Sequence, residues 1–338
     1  MSAPAASVRA VRLIVKLNIC TSCAYVANAP SGPRLAPVRQ AYPSTTPNGG
    51  VARCLDCAAV RIGVMLPSYL RPTRQTVLGV ARAAERLGYD SVWTNSHTAV
   101  PASFKPRYPF SEDGMPSWNA RTAWADAMTT LGFVAAATER VRLGVAVVPL
   151  IITDPVTLAK QAATVDVLSD GRFELGVGAG WLLEEGRALG HPTDHRQARL
   201  EETLDVLRLA WSRPTFSYDG RFVKIPEVGV HPQPPQGVRL PVWIGGQGDA
   251  AVRIAAEHDA GLFVWLQTHE RVAEYGRKLR ALRPGAPLAA CVWTSQDERL
   301  WDGQVRAMEK AGVDLLVIGR RYDDRQIGEI ERFASEFL

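Results

Sequence analysis

The sequence predicts an α/β fold, a (β/α)8 TIM barrel, and three observations carry that expectation. From residue 61 onward, short apolar strands alternate with amphipathic helices. The alternation completes eight strand–helix units, the arithmetic of this barrel. Glycine-rich, histidine-bearing or wholly apolar segments follow several strands, where a barrel places its ligands. A doubly wound open sheet is the alternative that the same alternation allows.

Arg61–Leu66 reads as the first strand, and its helix, Thr73–Leu87, carries Val77, Val80, Ala81 and Ala84 at helical spacing. Asp90–Thr94 is the second strand, with a helix over Arg121–Thr138. Arg142–Val148 is the third, followed by the helix Pro155–Leu168, which has proline in its first turn. Arg172–Gly178 and the helix Arg196–Trp211 make the fourth unit. Pro214–Leu240 then interrupts the alternation, an insertion after the fourth βα unit. It holds two short extended pieces around Asp219-Gly220, a hairpin signal, and a proline-rich run from Pro232 to Pro235. Four further units follow, Pro241–Gly245 with Asp249–His258, Leu262–Leu266 with Glu270–Leu282, Leu288–Thr294 with Asp297–Ala311, and Asp314–Ile318 with Asp324–Phe337.

The chain has 338 residues, is 46% hydrophobic and 22% charged, and carries a net charge of +5. That balance is ordinary for a soluble globular protein. No apolar run reaches the roughly 18 residues that span a bilayer, and no dense basic block points to nucleic acid. The expected setting is cytoplasmic, with a small-molecule substrate and with homodimer formation left open.

Residues 1–60 differ from the rest. They are rich in Ala, Pro, Ser and Arg, and they hold Cys20-x-x-Cys23 and Cys54-x-x-Cys57. Paired C-x-x-C motifs suit a tetrahedral zinc site, but the spacer is long and proline-rich. The regular pattern starts just after Val60, so this stretch is read as an N-terminal extension, disordered or belonging to a mis-assigned start. A zinc knuckle acting as an adaptor and an export signal are the alternatives. Cys291 lies in an apolar strand and reads as core packing. No resident metal is assigned.

The chemistry is sought at strand ends. After the second strand comes Asn95-Ser96-His97-Thr98, then a loop to about residue 120 with Phe104, Tyr108, Phe110, Met115 and Trp118. His97 at a barrel strand end suits proton transfer coupled to a redox step. The loop aromatics form either a lid over a flat ligand or a plain cover for the mouth. The third strand runs on into Pro149-Leu150, wholly apolar, which suits the face of an aromatic ring system or else is a buried strand that simply runs on. The fourth ends in Gly176-Val177-Gly178-Ala179-Gly180-Trp181, glycines that imply close approach to the backbone without the Rossmann spacing. The fifth ends in Gly245-Gly246-Gln247-Gly248-Asp249 and opens a helix, a ready phosphate site. There is no H-E-x-x-H, G-x-S-x-G or P-loop, so hydrolytic and metal-dependent chemistry give way to an organic cofactor.

Several stretches carry a resemblance. They are Tyr89-Asp90-Ser91-Val92-Trp93 leading to His97, Ala137 to Gly144, Asp154 to Gln161, and Asp166 to Arg172. Phe173 to Trp181, Arg199 to Glu202, and Pro241 to Gly246 continue it in order. Together they resemble the bacterial luciferase-like superfamily, in particular its deazaflavin-dependent (coenzyme F-420) oxidoreductases. That resemblance implies a flavin or deazaflavin across the barrel mouth and a non-proline cis peptide at Ala146-Val147. It implies cofactor contacts at Ser96, Ala146, Val147, Gly178, Ala179, Gly180, Glu184, Gly245, Gly246 and Gln247, with the phosphate near Gly245-Gly246. It makes His97 the catalytic residue. Glu184 and Glu185 either face the cofactor's pyrimidine edge or favour the helix start. Arg187, Arg196, Arg221 and Lys224 are candidates for a basic rim facing an acidic cofactor tail.

Two departures shape the expected activity. Many relatives have an acidic residue where Ser96 stands, and sugar-phosphate dehydrogenases have a catalytic glutamate where Trp181 stands. The expected reaction is therefore hydride transfer between coenzyme F-420 and a small apolar or aromatic substrate. FMN-dependent monooxygenation and a non-catalytic flavin-binding barrel are the alternatives.

Overall fold

Eight parallel strands close on themselves, in the order β1 (Arg61–Met65), β2 (Ser91–Thr94), β3 (Arg142–Pro149), β4 (Phe173–Gly178), then β7 (Val242–Gly245), β8 (Gly261–Trp265), β9 (Leu288–Trp293) and β10 (Leu315–Gly319). The missing numbers belong to an antiparallel pair outside the barrel, β5 (Phe216–Asp219) and β6 (Lys224–Val228), turned at Gly220. The computed structural model describes residues 60–295, 297–319 and 326–338. The two N-terminal cysteine pairs, with the zinc, export and mis-assigned-start readings, lie outside the described residues, as does the expected helix start at Asp324.

The helices return the chain from each strand to the next. They are α1 (Arg74–Leu87), α2 (Ala127–Ala135), α3 (Pro155–Leu168), the short α4 (Leu183–Ala188), α5 (Arg196–Ala210), α6 (Asp249–Glu257), α7 (His269–Leu282), α8 (Trp301–Lys310) and α9 (Gln326–Phe337). Local chemistry sets their ends. Thr73 and Thr76 form a reciprocal capping box before α1, and Gly88 closes that helix in the left-handed region at φ 88°. Asp154 caps α3 through the Thr157 N–H, just ahead of Pro155.

The second helix is shorter than its sequence suggests. Apolar periodicity runs back to Arg121, but the Asp126 carboxylate accepts from the Thr129 N–H at 2.7 Å and starts α2 at Ala127. The residues before it are held elsewhere. Ala123 and Ala125 exchange backbone hydrogen bonds with Leu70 and Ser68, and Trp124 pairs with Tyr69. A capping side chain and a loop-to-loop bridge override the helical pattern. The eighth helix is likewise split, with a 3-10 turn at Glu298–Leu300 preceding α8.

Large rings fill the barrel interior. Trp93, Trp243 and Phe263 meet at centroid distances of 5.2–6.4 Å, joined by Met65, Cys291 and Val317. Glycines on the neighbouring strands make this possible. A Cβ on Gly144 would lie 2.3 Å from the Trp93 ring, and one on Gly261 equally close to Trp243. Cys291 is fully buried, and burial pushes its thiol well above the ordinary range, which fits packing rather than reactivity. Among the described residues, no helix is long and apolar enough to cross a membrane.

Candidate active site at the barrel mouth

A cavity of about 440 Å³ opens at the C-terminal ends of the strands, within the usual range for small-molecule sites. Ser96, His97, Ala146, Val147, Gly178, Ala179, Gly180, Gly245, Gly246 and Gln247 all line it. Strand ends far apart in sequence therefore converge on one chamber. Glu184 does not line it.

His97 sits where β2 gives way to the long loop, with its side chain 10% exposed. Its Nδ1 lies 2.7 Å from Oε2 of Glu185, and the other carboxylate oxygen accepts from the N–H groups of Thr98 at 2.7 Å and Ala99 at 3.0 Å. Glu185 is completely buried on α4. This contact engages Nδ1 and leaves Nε2 for the cavity. The carboxylate thus does two tasks: it orients the imidazole and folds the start of the loop over the strand.

The adjacent acid points another way. Glu184 accepts from the Arg107 guanidinium at 2.6 and 2.8 Å, and weakly from the Lys105 N–H at 3.4 Å. Burial pushes its carboxyl up, but the hydrogen bonds and Arg107 outweigh it and hold the pKa below the ordinary value. Its side chain is therefore engaged by the loop, outside the lining of the chamber. On a helix, consecutive residues face about 100° apart, and here the two neighbouring glutamates at the start of α4 meet different partners.

Loop aromatics form a wall rather than a loose cover. His97 is 4.8 Å from both Trp118 and Trp124, and Trp124 stacks on Tyr69 at 4.7 Å. Tyr108 is 5.2 Å from Trp181, which stands 6.4 Å from the histidine ring. Trp265 and Trp293, at the ends of β8 and β9, close the far side.

The apolar face opposite belongs to Ala146 and Val147, joined by a non-proline cis peptide at a register shift in β3. The Val147 side chain explains much of the glycine pattern. A Cβ on Gly245 would lie 2.5 Å from it, and those on Gly176 and Gly178 would lie 3.1 and 3.0 Å away. So Gly178 and Gly245 make room for the Val147 side chain, whereas Gly176 yields first to the Val145 carbonyl oxygen, 2.2 Å from where its Cβ would be. Past β7, α6 starts without a side-chain cap, with Gly245, Gly246 and Ala251 on the cavity wall. The Gln247 amide donates to the Trp265 carbonyl at 2.8 Å.

Comparison with known proteins places this arrangement. Residues 57–299, more than half of the chain, match the sequence profile of the luciferase-like monooxygenases. The chain belongs to the luciferase-like monooxygenase family. One relative, an uncharacterized Mycobacterium tuberculosis protein, is 35% identical over 173 residues, 51% of this chain and 61% of the relative's length. Another is named as an F420-dependent glucose-6-phosphate dehydrogenase of Nakamurella multipartita, 29% identical over 282 residues and 77% of each chain. Two solved structures share the luciferase-like fold. One is an F420-dependent secondary alcohol dehydrogenase with an F420-acetone adduct, at TM-score 0.66 and 18% identity, covering 83% of this chain and 98% of that one. The other is the oxygenating constituent of 3,6-diketocamphane monooxygenase from Pseudomonas putida with FMN, at 0.64 and 15%, covering 82% and 98%.

Within this luciferase-like barrel, sequence reasoning missed Glu185 as the partner of His97, and also Tyr69, Trp124, Trp265 and Trp293. The last two were findable, since each closes a barrel strand. Tyr69 and Trp124 were not, because nothing local announces that two loops will bridge.

Proposed function

We propose that the protein is a deazaflavin-dependent oxidoreductase using coenzyme F-420, with a small apolar or aromatic substrate. The observation that carries this reading is the His97–Glu185 pair. A buried carboxylate fixes an imidazole whose other nitrogen serves an aromatic chamber, and among the described residues no carboxylate lines that chamber.

The residues present fit such a cofactor. Ala146, Val147 and Ile244 offer a flat apolar face for a tricyclic ring. The uncapped start of α6 beside Gly245 and Gly246 offers backbone N–H groups to a phosphate. When bound, a deazaflavin supplies two electrons as hydride. The chain supplies the rest: His97 gives or takes the coupled proton at Nε2, Glu185 keeps the imidazole oriented, and the tryptophan wall excludes water. Trp181 stands in that wall beside Tyr108, which favours a flat or apolar substrate over a sugar phosphate. Support for F-420 over FMN comes from the named activity of the Nakamurella relative.

The test is a pair of fluorescence-quenching titrations, with FMN and with the deazaflavin cofactor, followed by the His97→Ala variant. Tighter binding of deazaflavin is expected, and a preference for FMN overturns the cofactor. His97→Ala should retain cofactor while turnover falls about 10²–10⁴-fold; undiminished turnover removes the histidine from proton transfer.

A further inference from the structure

Trp93, Asn95 and His97 alternate where β2 runs out. Trp93 belongs to the ring layer inside the barrel, and Asn95 and His97 line the chamber at its mouth. Alternate positions along an extended chain face the same side, which puts a carboxamide and an imidazole on one wall.

The carboxamide is fixed from behind. The Ser68 hydroxyl donates to Asn95 Oδ1 at 2.9 Å. Ser68 is completely buried, and its backbone is pinned twice: its N–H donates to the Leu66 carbonyl and its carbonyl accepts from the Ala125 N–H, both at 2.8 Å. With Oδ1 engaged, the amide turns Nδ2 and its N–H donors the other way. Among the described residues Nδ2 meets no acceptor. Nor is it sealed in, whereas the Trp124 indole nitrogen in the same wall is buried and unpartnered. Other polar groups of the chamber differ. The Gln247 amide donates to the Trp265 carbonyl, Arg196 donates to the Gly180 carbonyl, and Gln197 is exposed.

An amide nitrogen donates and does not accept. A pinned donor beside a proton-transferring imidazole selects a ligand with an acceptor at that point, and its value rises if negative charge develops there. We propose that Asn95 is a specificity-determining residue: its Nδ2 donates to the oxygen of a carbonyl substrate, with Ser68 as the positioning residue behind it. The substrate class is then an apolar or aromatic ketone or aldehyde rather than an activated alkene. The inference rests on the reading of His97 as the proton-transfer residue of a deazaflavin-dependent oxidoreductase. In reduction, the carbonyl carbon takes the hydride that a reduced deazaflavin supplies, the C=O π pair moves to oxygen, and that oxygen takes a proton from Nε2 of His97 to give the alcohol. The Asn95 amide holds the oxygen throughout and transfers nothing.

The test uses the full chain, with and without deazaflavin cofactor, and two probes of matched shape. Acetophenone carries a carbonyl oxygen where isopropenylbenzene carries a methylene carbon. Calorimetry on the wild type should show acetophenone bound about fivefold more tightly, the worth of one neutral hydrogen bond. Asn95→Leu, of nearly equal size, should abolish that preference while isopropenylbenzene binds as before. Asn95→Asp, isosteric and without a donor when ionised, should abolish it too, and it decides the question if the leucine variant does not fold. Ser68→Ala should cut the preference to about twofold, because the amide can then turn; a full preference there removes Ser68 from its positioning role. A preference unchanged in the Asn95 variants, or absent from the wild type, overturns the proposal. Equal weakening of both probes overturns it as well, since that is a packing effect. So does a preference that vanishes once cofactor saturates the protein, because the amide then serves the cofactor. Failure of the cofactor reading looks different: no deazaflavin quenching in the wild type, with the acetophenone preference intact and still dependent on Asn95.

Discussion

The two ends of this barrel each bury a glutamate, and they use it in opposite ways. At the N-terminal end, Glu174 on β4 is 2% exposed. It receives Arg142 on one oxygen, with Arg61 at 3.8 Å, and the Trp243 indole N–H at 2.7 Å on the other. Burial pushes its carboxyl up, but the two guanidinium charges and the hydrogen bonds prevail and hold it below its ordinary value. At the C-terminal end, Glu185 is equally buried, yet its partners are two backbone N–H groups and one imidazole. None of the partners of Glu174 lines the cavity at the mouth. One partner of Glu185 keeps a nitrogen for a cavity. Burial of a charge therefore marks neither stability nor chemistry by itself; what separates them is whether the paired group has a free face.

The strongest way to break this comparison is at the closed end. Glu174→Gln takes the buried countercharge from Arg142, whose side chain is 23% exposed; losing one partner of a fully buried pair costs about 3–5 kcal/mol, and this half-open pair should lose about 2–3 kcal/mol. Urea unfolding followed by tryptophan fluorescence should show a loss of that size. A change below about 1 kcal/mol would mean that water reaches the pair and that the two ends are not different in kind. The sign with pH follows from the lowered pKa. The stabilisation is complete above the ordinary carboxylate value and is lost as pH falls through the folded one. Asp90 nearby opposes it, since burial holds its carboxyl above the ordinary value despite Arg61.

Glu185→Gln sharpens the other half. The amide keeps an acceptor for Thr98 and Ala99 but removes the anion that orients His97. The expected result is a fall in kcat on the order of 10²-fold with cofactor affinity nearly unchanged. Glu185→Ala should do worse in both respects, because it also strips the loop's N–H groups of their partner. Equal kcat in wild type and Glu185→Gln would reduce the contact to loop packing.

The barrel was legible because its signals are local. Strand periodicity, the Asp154-Pro155 helix start and the Asp219-Gly220 turn each depend on a few neighbouring residues. Positions at strand ends were legible as well, since topology alone carries His97, Val147 and Gly245 to one face. The pairing within that face was not. Glu184 and Glu185 are chemically alike, and only the direction of α4 decides which meets the histidine and which meets Arg107. The closed-end cluster escaped notice for the same reason. Arg61, Asp90, Arg142 and Glu174 lie on different strands or strand starts, and no spacing in the sequence announces that they will meet.

The smallest expected effect tests how the loop is held. Arg107 and Glu184 are 38% and 20% exposed at their side chains, so water screens the pair and its worth is about 1 kcal/mol or less. Because Glu184 has a lowered pKa, this contribution is present above the ordinary carboxylate value and disappears as pH falls through the lowered one. Arg107→Met should therefore raise hydrogen exchange around Lys105 at neutral pH by about fivefold or less. It should make little difference at a pH where Glu184 is already protonated. His97 and Glu185 lie on the other side of α4's first turn, so exchange at Thr98 and Ala99 should not follow. If it does, the two glutamates act as one clasp, and the division between the residue that orients the imidazole and the residue that holds the loop does not stand.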